Sequence, residues 1–179
     1  EEPDDMQVWM GYEILKRGDI PILCTGDKDS KAYSGLSLFN PDKPEEGVQV
    51  IPDLGSIWED DKGKVRALGM KQYGLQQLIG DGTDGFKPTD LCGVKFGEKS
   101  ALKLLEPCKT EKEVLEVVVQ QYQKWYPTPF EYTAWNGAKI ESDWKHMLNL
   151  YHACCRMKET KDDPLIAYDF YKRYGVTLE

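Results

Sequence analysis

Residues 79–105 read IGDGTDGFKPTDLCGVKFGEKSALKLL. Asp81 and Asp84 lie three positions apart in a glycine-rich stretch, and a Gly93-Val94-Lys95-Phe96-Gly97 turn follows nine residues later. Oxygen-only ligands at such short spacing suit a small hard cation, Mg²⁺ or Mn²⁺ rather than zinc. Glycines that permit positive φ and close backbone approach, set before a helix N-terminus, make an anion cradle. Lys95, Lys99 and Lys103 recur every fourth position and line one face toward a phosphate backbone. On this reading Gly93, Val94, Lys95, Gly97 and Lys99 hold a nucleic-acid backbone and do not read its base sequence. The plainer alternative is a pair of packed helices capped by glycine, with Lys99 and Lys103 on a solvated face.

Two more acidic clusters precede this one. Glu2-x-Asp4-Asp5 opens a helix expected over 5–17, where Met6, Trp9, Met10 and Ile14 keep helical spacing. Asp27-x-Asp29 directly follows IPILCT (20–25), a continuous apolar run expected as a buried strand. Ligands of open α/β sheets collect beyond the carboxyl ends of strands. The Asp81/Asp84 pair follows a helix expected over 65–79. Any one cluster alone is an ordinary solvated turn. Three in order, each at the end of an expected element, point to a metal. An EF-hand is excluded: in a loop whose first position is Asp27, Ala32 stands at the sixth, where glycine is needed, and in one whose first position is Asp81, Thr83 and Gly85 stand at the third and fifth.

The remaining pattern gives strands at 36–39 and 48–51, an exposed loop at 58–64 and a helix–turn–helix around 88–105. Amphipathic helices follow over 112–126, stopped by Pro127 and Pro129, over 142–157 with Ser142 as cap, and over 163–175 with Asp163 as cap and Pro164 in its first turn. Trp125, Tyr126, Trp135, Trp144 and Tyr151 are expected in the core. The architecture is thus an α/β front half with an α-helical back half.

The 179 residues allow one sizeable domain, or one with a helical appendage. The net charge of −8 argues at first against nucleic acid, but its distribution does not. Residues 1–84 hold 17 acids and 9 bases, and residues 85–179 hold 14 of each. Acid gathered in metal-binding clusters is partly neutralised once divalent cations bind. Five cysteines without a C-x-x-C pair argue against zinc and disulfides and for a reducing compartment. His146 and His152, six apart, fall on different helix faces and are expected as ordinary residues. No apolar run has the length of a membrane helix, and EEPDDMQ has neither the basic start nor the apolar centre of a secretory signal. A start at glutamate rather than Met is expected of a piece of a longer chain.

The order of these motifs resembles the 5′-nucleases: flap endonucleases, the 5′–3′ exonuclease domains of DNA polymerases and phage exonucleases. That family carries E-x-D-D, a strand followed by D-x-D, then G-D-x-x-D-N-I-P-G, then a helix-hairpin-helix G-I-G-x-K-x-A. This chain has EEPDD, ILCTGDKDS, IGDGTDGFKP and CGVKFGEKSALKLL in the same order, over roughly residues 1–110. Gly85-Phe86-Lys87-Pro88 replaces the family's Asn-Ile-Pro-Gly. GDKDSKAYSG and GDGTDGF look nearest to the phage exonucleases.

The resemblance implies an α/β fold with a PIN-like (resolvase-like) partial parallel sheet and helices over 1–87. A helix-hairpin-helix and an α-helical region follow over 88–179. It implies a 5′–3′ exonuclease or flap endonuclease, a hydrolase of DNA phosphodiesters using two Mg²⁺ or Mn²⁺ ions. Glu2, Asp4 and Asp5 would serve the first ion and Asp27, Asp29, Asp81 and Asp84 the second, with Asp5, Asp29, Asp81 and Asp84 catalytic. A K⁺ ion would sit at the helix-hairpin-helix. The partners would be DNA with a 5′ end, flap or duplex junction, and the enzyme's own N-terminal half, which precedes the matched region in that family. The setting would be the cytoplasm of a bacterial or phage-infected cell, away from membranes. Two other readings stay open: a non-catalytic helix-hairpin-helix module that binds DNA, and a PIN-like ribonuclease. The helices after residue 111 also suit a protein-interaction scaffold.

Overall fold

The computed structural model describes residues 3–83 and 85–179; the expectations placed on Glu2 and Asp84 lie outside the described residues. The fold mixes α and β, with six α-helices and three small sheets among the described residues. It divides into two compact units. The first is Glu1–Tyr73 with Arg156–Leu165, and the second is Gly74–Cys155 with Ile166–Glu179.

The first unit opens with α1 (Pro3–Lys16), whose first turn carries Asp4 and Asp5, where negative charge complements the helix dipole. Strand β1 (Ile22–Cys24) pairs in parallel with β2 (Ser37–Phe39), and β3 (Val48–Val50) pairs antiparallel with β2. The central strand β2 is buried on both sides, at Ser37 and Leu38, whereas β1 and β3 keep exposed residues. A Cβ on Gly11 of α1 would stand 3.1 Å from Leu23 and 3.0 Å from Leu36, so helix and sheet pack closely there. Successive strand residues point to opposite faces. Leu23 is therefore buried, whereas Ile22, Cys24, Val48 and Val50 are exposed. The run 20–25 is not the fully buried strand that its apolar composition suggested.

The stretch expected as a loop at 58–64, and the start of the helix expected at 65, form a hairpin of β4 (Ile57–Glu59) and β5 (Val65–Ala67). The Asp60 carboxylate accepts from the amides of Lys62 and Lys64 and pairs with Arg66 across the turn. Helix α2 (Met70–Ile79) begins only afterwards. Gly55 and Gly69 meet back to back before it, with φ of +69° and +64°, while the Met70 and Lys71 amides donate to Asp53 and Leu54.

Residues 156–165 complete this unit. The Arg156 guanidinium is buried 5.0 Å from the Tyr33 ring and 5.4 Å from the Tyr73 ring, and it is ion-paired with Glu159. The Met157 amide donates to the Tyr33 hydroxyl, and the Lys158 amide donates to Asp5 at 2.9 Å. Asp163 does not open a helix with Pro164. Its carboxylate accepts from the Glu159 and Leu165 amides, Leu165 takes a φ of +52°, and α6 (Ala167–Arg173) starts later.

In the second unit, α3 (Glu98–Leu105), α4 (Glu111–Trp125), α5 (Trp144–Cys155) and α6 enclose a core of Leu105, Leu115, Val118, Met147, Leu148 and Phe170. Thr110 caps α4 through the Glu113 amide, and Glu113 reaches back to the Lys109 amide, a reciprocal arrangement that fixes the helix start. The cap of α5 is Asp143, which accepts from the His146 amide. Ser142, expected in that role, ends a strand instead. That strand, β7 (Lys139–Ser142), pairs with β6 (Phe130–Thr133) in a hairpin that the α-helical expectation for this half omitted. At its tip Trp135 is 98% exposed, contrary to its expected place in the core; Trp125, Tyr126 and Tyr151 are buried as expected. His152 is buried against Phe170 and His146 is exposed. Among the described residues, no disulfide joins any of the five cysteines. Among the described residues, no helix is long and apolar enough to cross a membrane.

Candidate functional site

In the first unit the carboxyl end of β1 leads straight into Thr25-Gly26-Asp27-Lys28-Asp29. The Asp27 amide donates to Thr25 Oγ1 and the Asp29 amide donates to Asp27 Oδ1, each at 3.0 Å. Short polar side chains that bond the backbone two residues away build such turns locally. Asp29 then starts a 3-10 turn, Asp29–Ala32. Asp27 and Asp29 are both half-buried. Thr25, Asp27, Lys31, Asn40, Glu46 and Gln49 line a small pocket of about 20 Å³ here, room for one water-sized body. Asp4 is exposed, and Asp5 is half-buried with one oxygen engaged by the Lys158 amide.

The second unit holds Asp81, which is only 6% exposed. It exchanges both backbone hydrogen bonds with Phe86, at 3.0 and 3.1 Å, closing a tight loop. Its Oδ1 accepts from the Thr83 amide at 2.7 Å. Gly80 makes the approach possible: its φ is +73°, and a Cβ there would stand 2.4 Å from the Phe86 carbonyl oxygen. Asp27 and Asp81 thus each have one carboxylate oxygen held by an amide of their own turn. Among the described residues, no group of three or more His, Cys, Asp and Glu side chains gathers closely enough to hold a metal ion.

The glycine turn differs from its expected form on one side. Residues 88–93 are consecutive turns and not a helix, with Asp90 bonded to Lys87 and Gly93 to Thr89. Side chains also reach carbonyls here: Tyr126 donates to Pro88 O at 2.6 Å, and Tyr151 donates at 2.9 Å to Lys87 O, which the Asp90 amide shares. Gly93 has a φ of +68°, and Gly97 is an extended N-cap of α3 without a side-chain acceptor. Val94, Lys95, Gly97, Lys99 and Lys103 are exposed, and Phe96 packs edge-on against Trp125 at 5.1 Å. The clamping role of Tyr126 and Tyr151 has no local signal in the sequence, because their partners lie 38 and 64 residues away.

This clamp carries a pH dependence. Burial pushes the Tyr151 hydroxyl up to about 12 and also raises Tyr126 and Tyr122. Above pH 10 the unfolded chain gives up tyrosine protons that the fold keeps, so stability is intact below about 10 and falls as pH rises. The slope is about 1.4 kcal/mol per pH unit for each such tyrosine. Urea midpoints followed from pH 9 to about 12 are expected to drop steeply, and Tyr151→Phe to flatten that drop; an unchanged slope in the variant would contradict the role given to Tyr151.

Family models, curated proteins and solved structures offer no match to the chain.

Proposed function

We propose that the chain is the carboxylate-bearing and DNA-docking part of a divalent-metal-dependent 5′-nuclease, cutting at or near a 5′ end, flap or duplex junction. The observation that carries this reading is the Asp27–Asp29 turn at the carboxyl end of a parallel strand, where the Asp29 amide holds Asp27 Oδ1. Asp81, buried and likewise held, adds to it. The donors are oxygen only, which fits Mg²⁺ or Mn²⁺. Asp27 and Asp29 in the first unit and Asp81 in the second would each hold a cation through carboxylate oxygens, and Asp5 through the oxygen its Lys158 contact leaves. Bound ions would supply Lewis-acid stabilisation of the attacked phosphodiester. The amides at the start of α3, with Lys95 and Lys99, would fix the phosphate backbone. The finer fold follows the same reading: β1 and β2 as the remnant of a PIN-like sheet, and the 88–93 turns with α3 as an abbreviated helix-hairpin-helix. The exposed apolar face of Ile20, Ile22, Val48 and Val50 supports cover by further polypeptide.

A second reading, a DNA-binding module without catalysis, is favoured by the use of Asp5 and Asp27 to hold backbone amides. A time course on 5′-labelled duplex and 5′-flap DNA separates the two. Cleavage in Mg²⁺, absent in EDTA and slowed at least about a hundredfold in Asp29→Ala, is expected of the nuclease. Salt-sensitive binding that survives Asp29→Ala, with no cleavage, would leave the module. No DNA binding at all would remove both, and RNA outcompeting DNA would turn the reading to a ribonuclease.

A further inference from the structure

An open groove of about 490 Å³ lies between α3 and α4 and runs up to the glycine turn. Phe96, Ser100, Lys103, Gln121, Lys124 and Trp125 line it, with no acidic side chain among the described residues that do so. The carboxylate clusters do not reach it, and the glycine turn shares only Val94 and Phe96 with it. Its volume is within the range of small-molecule sites, and its chemistry has two parts. One is an apolar floor centred on the Phe96–Trp125 ring pair. The other is a rim of two exposed lysines, one from each helix. Ser100 and Gln121 add a hydroxyl and an amide, groups that both donate and accept hydrogen bonds.

We infer that this groove receives an unpaired nucleotide next to a duplex, its base against Phe96 and its phosphate between Lys103 and Lys124. This rests on the DNA-docking reading above and names a substrate feature that the turn alone does not select. A flat ring system that is apolar on its faces, polar at its edges and tied to an anion complements each part of the groove. Continuity favours nucleic acid over an acidic peptide. Val94 and Phe96 belong to the glycine turn and also line the groove, so a strand whose phosphates meet the turn is led into it.

The test is fluorescence anisotropy in EDTA at fixed salt, with a blunt 5′-phosphorylated duplex and the same duplex carrying a short unpaired tail. The wild-type chain is expected to bind the tailed DNA about tenfold more tightly, the order of one stacked base. Ser100→Trp fills the groove from an exposed position, and Lys124→Ala removes one rim charge without touching the core. Both are expected to bind blunt duplex within about twofold of wild type and to lose most of the tail preference. Equal binding of both DNAs by the wild type, or a preference that persists in both variants, overturns the inference and leaves the docking reading standing. Failure to bind any DNA removes both. Displacement of the tailed DNA by a glutamate–phenylalanine repeat peptide, but not by a single-stranded oligonucleotide, would assign the groove to an acidic protein partner and overturn the inference as well.

Discussion

On the proposed nuclease reading, replacing Asp81 by Asn is expected to slow Mg²⁺-dependent cleavage by at least about a hundredfold and to remove any rise in melting temperature that Mg²⁺ gives the wild type. Asp81 is the most deeply buried of the described candidate carboxylates, with Oδ1 fixed by the Thr83 amide and its backbone tied to Phe86. Burying a negative charge is costly unless hydrogen bonds and a counter-charge accompany it. The Asn side chain keeps an acceptor oxygen for Thr83 and nearly the same shape, so the loop survives while the charge is lost. In EDTA the variant should therefore melt no lower than wild type. With Mg²⁺ the wild type should rise with the logarithm of cation concentration, as for any ligand that binds only the folded state, and the variant should not. A variant that keeps both cleavage and the Mg²⁺ shift would exclude Asp81 as a ligand. A variant that melts much lower in EDTA would show that Asp81 serves the loop alone.

The second large effect belongs to Gly55. A Cβ at this position would stand 1.9 Å from the Leu68 carbonyl oxygen, and its φ is +69°. The clash is with backbone, so no rotamer change relieves it, and the positive φ adds strain for any residue with a side chain. Gly55→Ala is expected to cost about 3–5 kcal/mol, read as a fall in the urea midpoint. Gly18→Ala is the internal comparison: its φ of +88° carries similar strain, but nothing lies within 4 Å, so about 1 kcal/mol is expected. Equal losses at the two positions would mean that backbone strain, not the close approach of 52–55 to 68–69, sets the cost.

Some of this was legible in the chain and some was not, for identifiable physical reasons. The 3.6-residue period of α1 and α4 is carried by their own side chains, and both helices fall where the pattern puts them. The short strands β1, β2 and β3 are also in place, but composition could not reveal that Ile22, Cys24 and all of β3 stay exposed. Hairpin β4–β5 was missed because three-residue strands are too short to show alternation, although Asp60 and Gly63 mark its turn. Hairpin β6–β7 did leave a signal: Asn136-Gly137 between alternating Phe-Glu-Tyr-Thr and Lys-Ile-Glu-Ser is a strong hairpin pattern. The α6 start was misplaced because Asp163 spends its carboxylate on residues 159 and 165 instead of on a helix. At the site, the Asp27–Asp29 and Asp81 turns were readable because their hydrogen bonds are local. The Lys158 contact of Asp5 and the tyrosine clamp on 87–88 were not, since each joins residues far apart in sequence.

The return of Arg156–Leu165 to the first unit also fixes an order of events during synthesis. Tyr33 and Met157, which bond to each other, are 124 residues apart, so a nascent chain paused anywhere before residue 156 has its first unit's sequence but not the arginine that sits between Tyr33 and Tyr73. A ribosome adding roughly 5–20 residues per second must read through almost the entire second unit before the first can close. The N-terminal part thus waits, partly assembled, for its last strip, and contacts over so long a span are of the kind that slow folding.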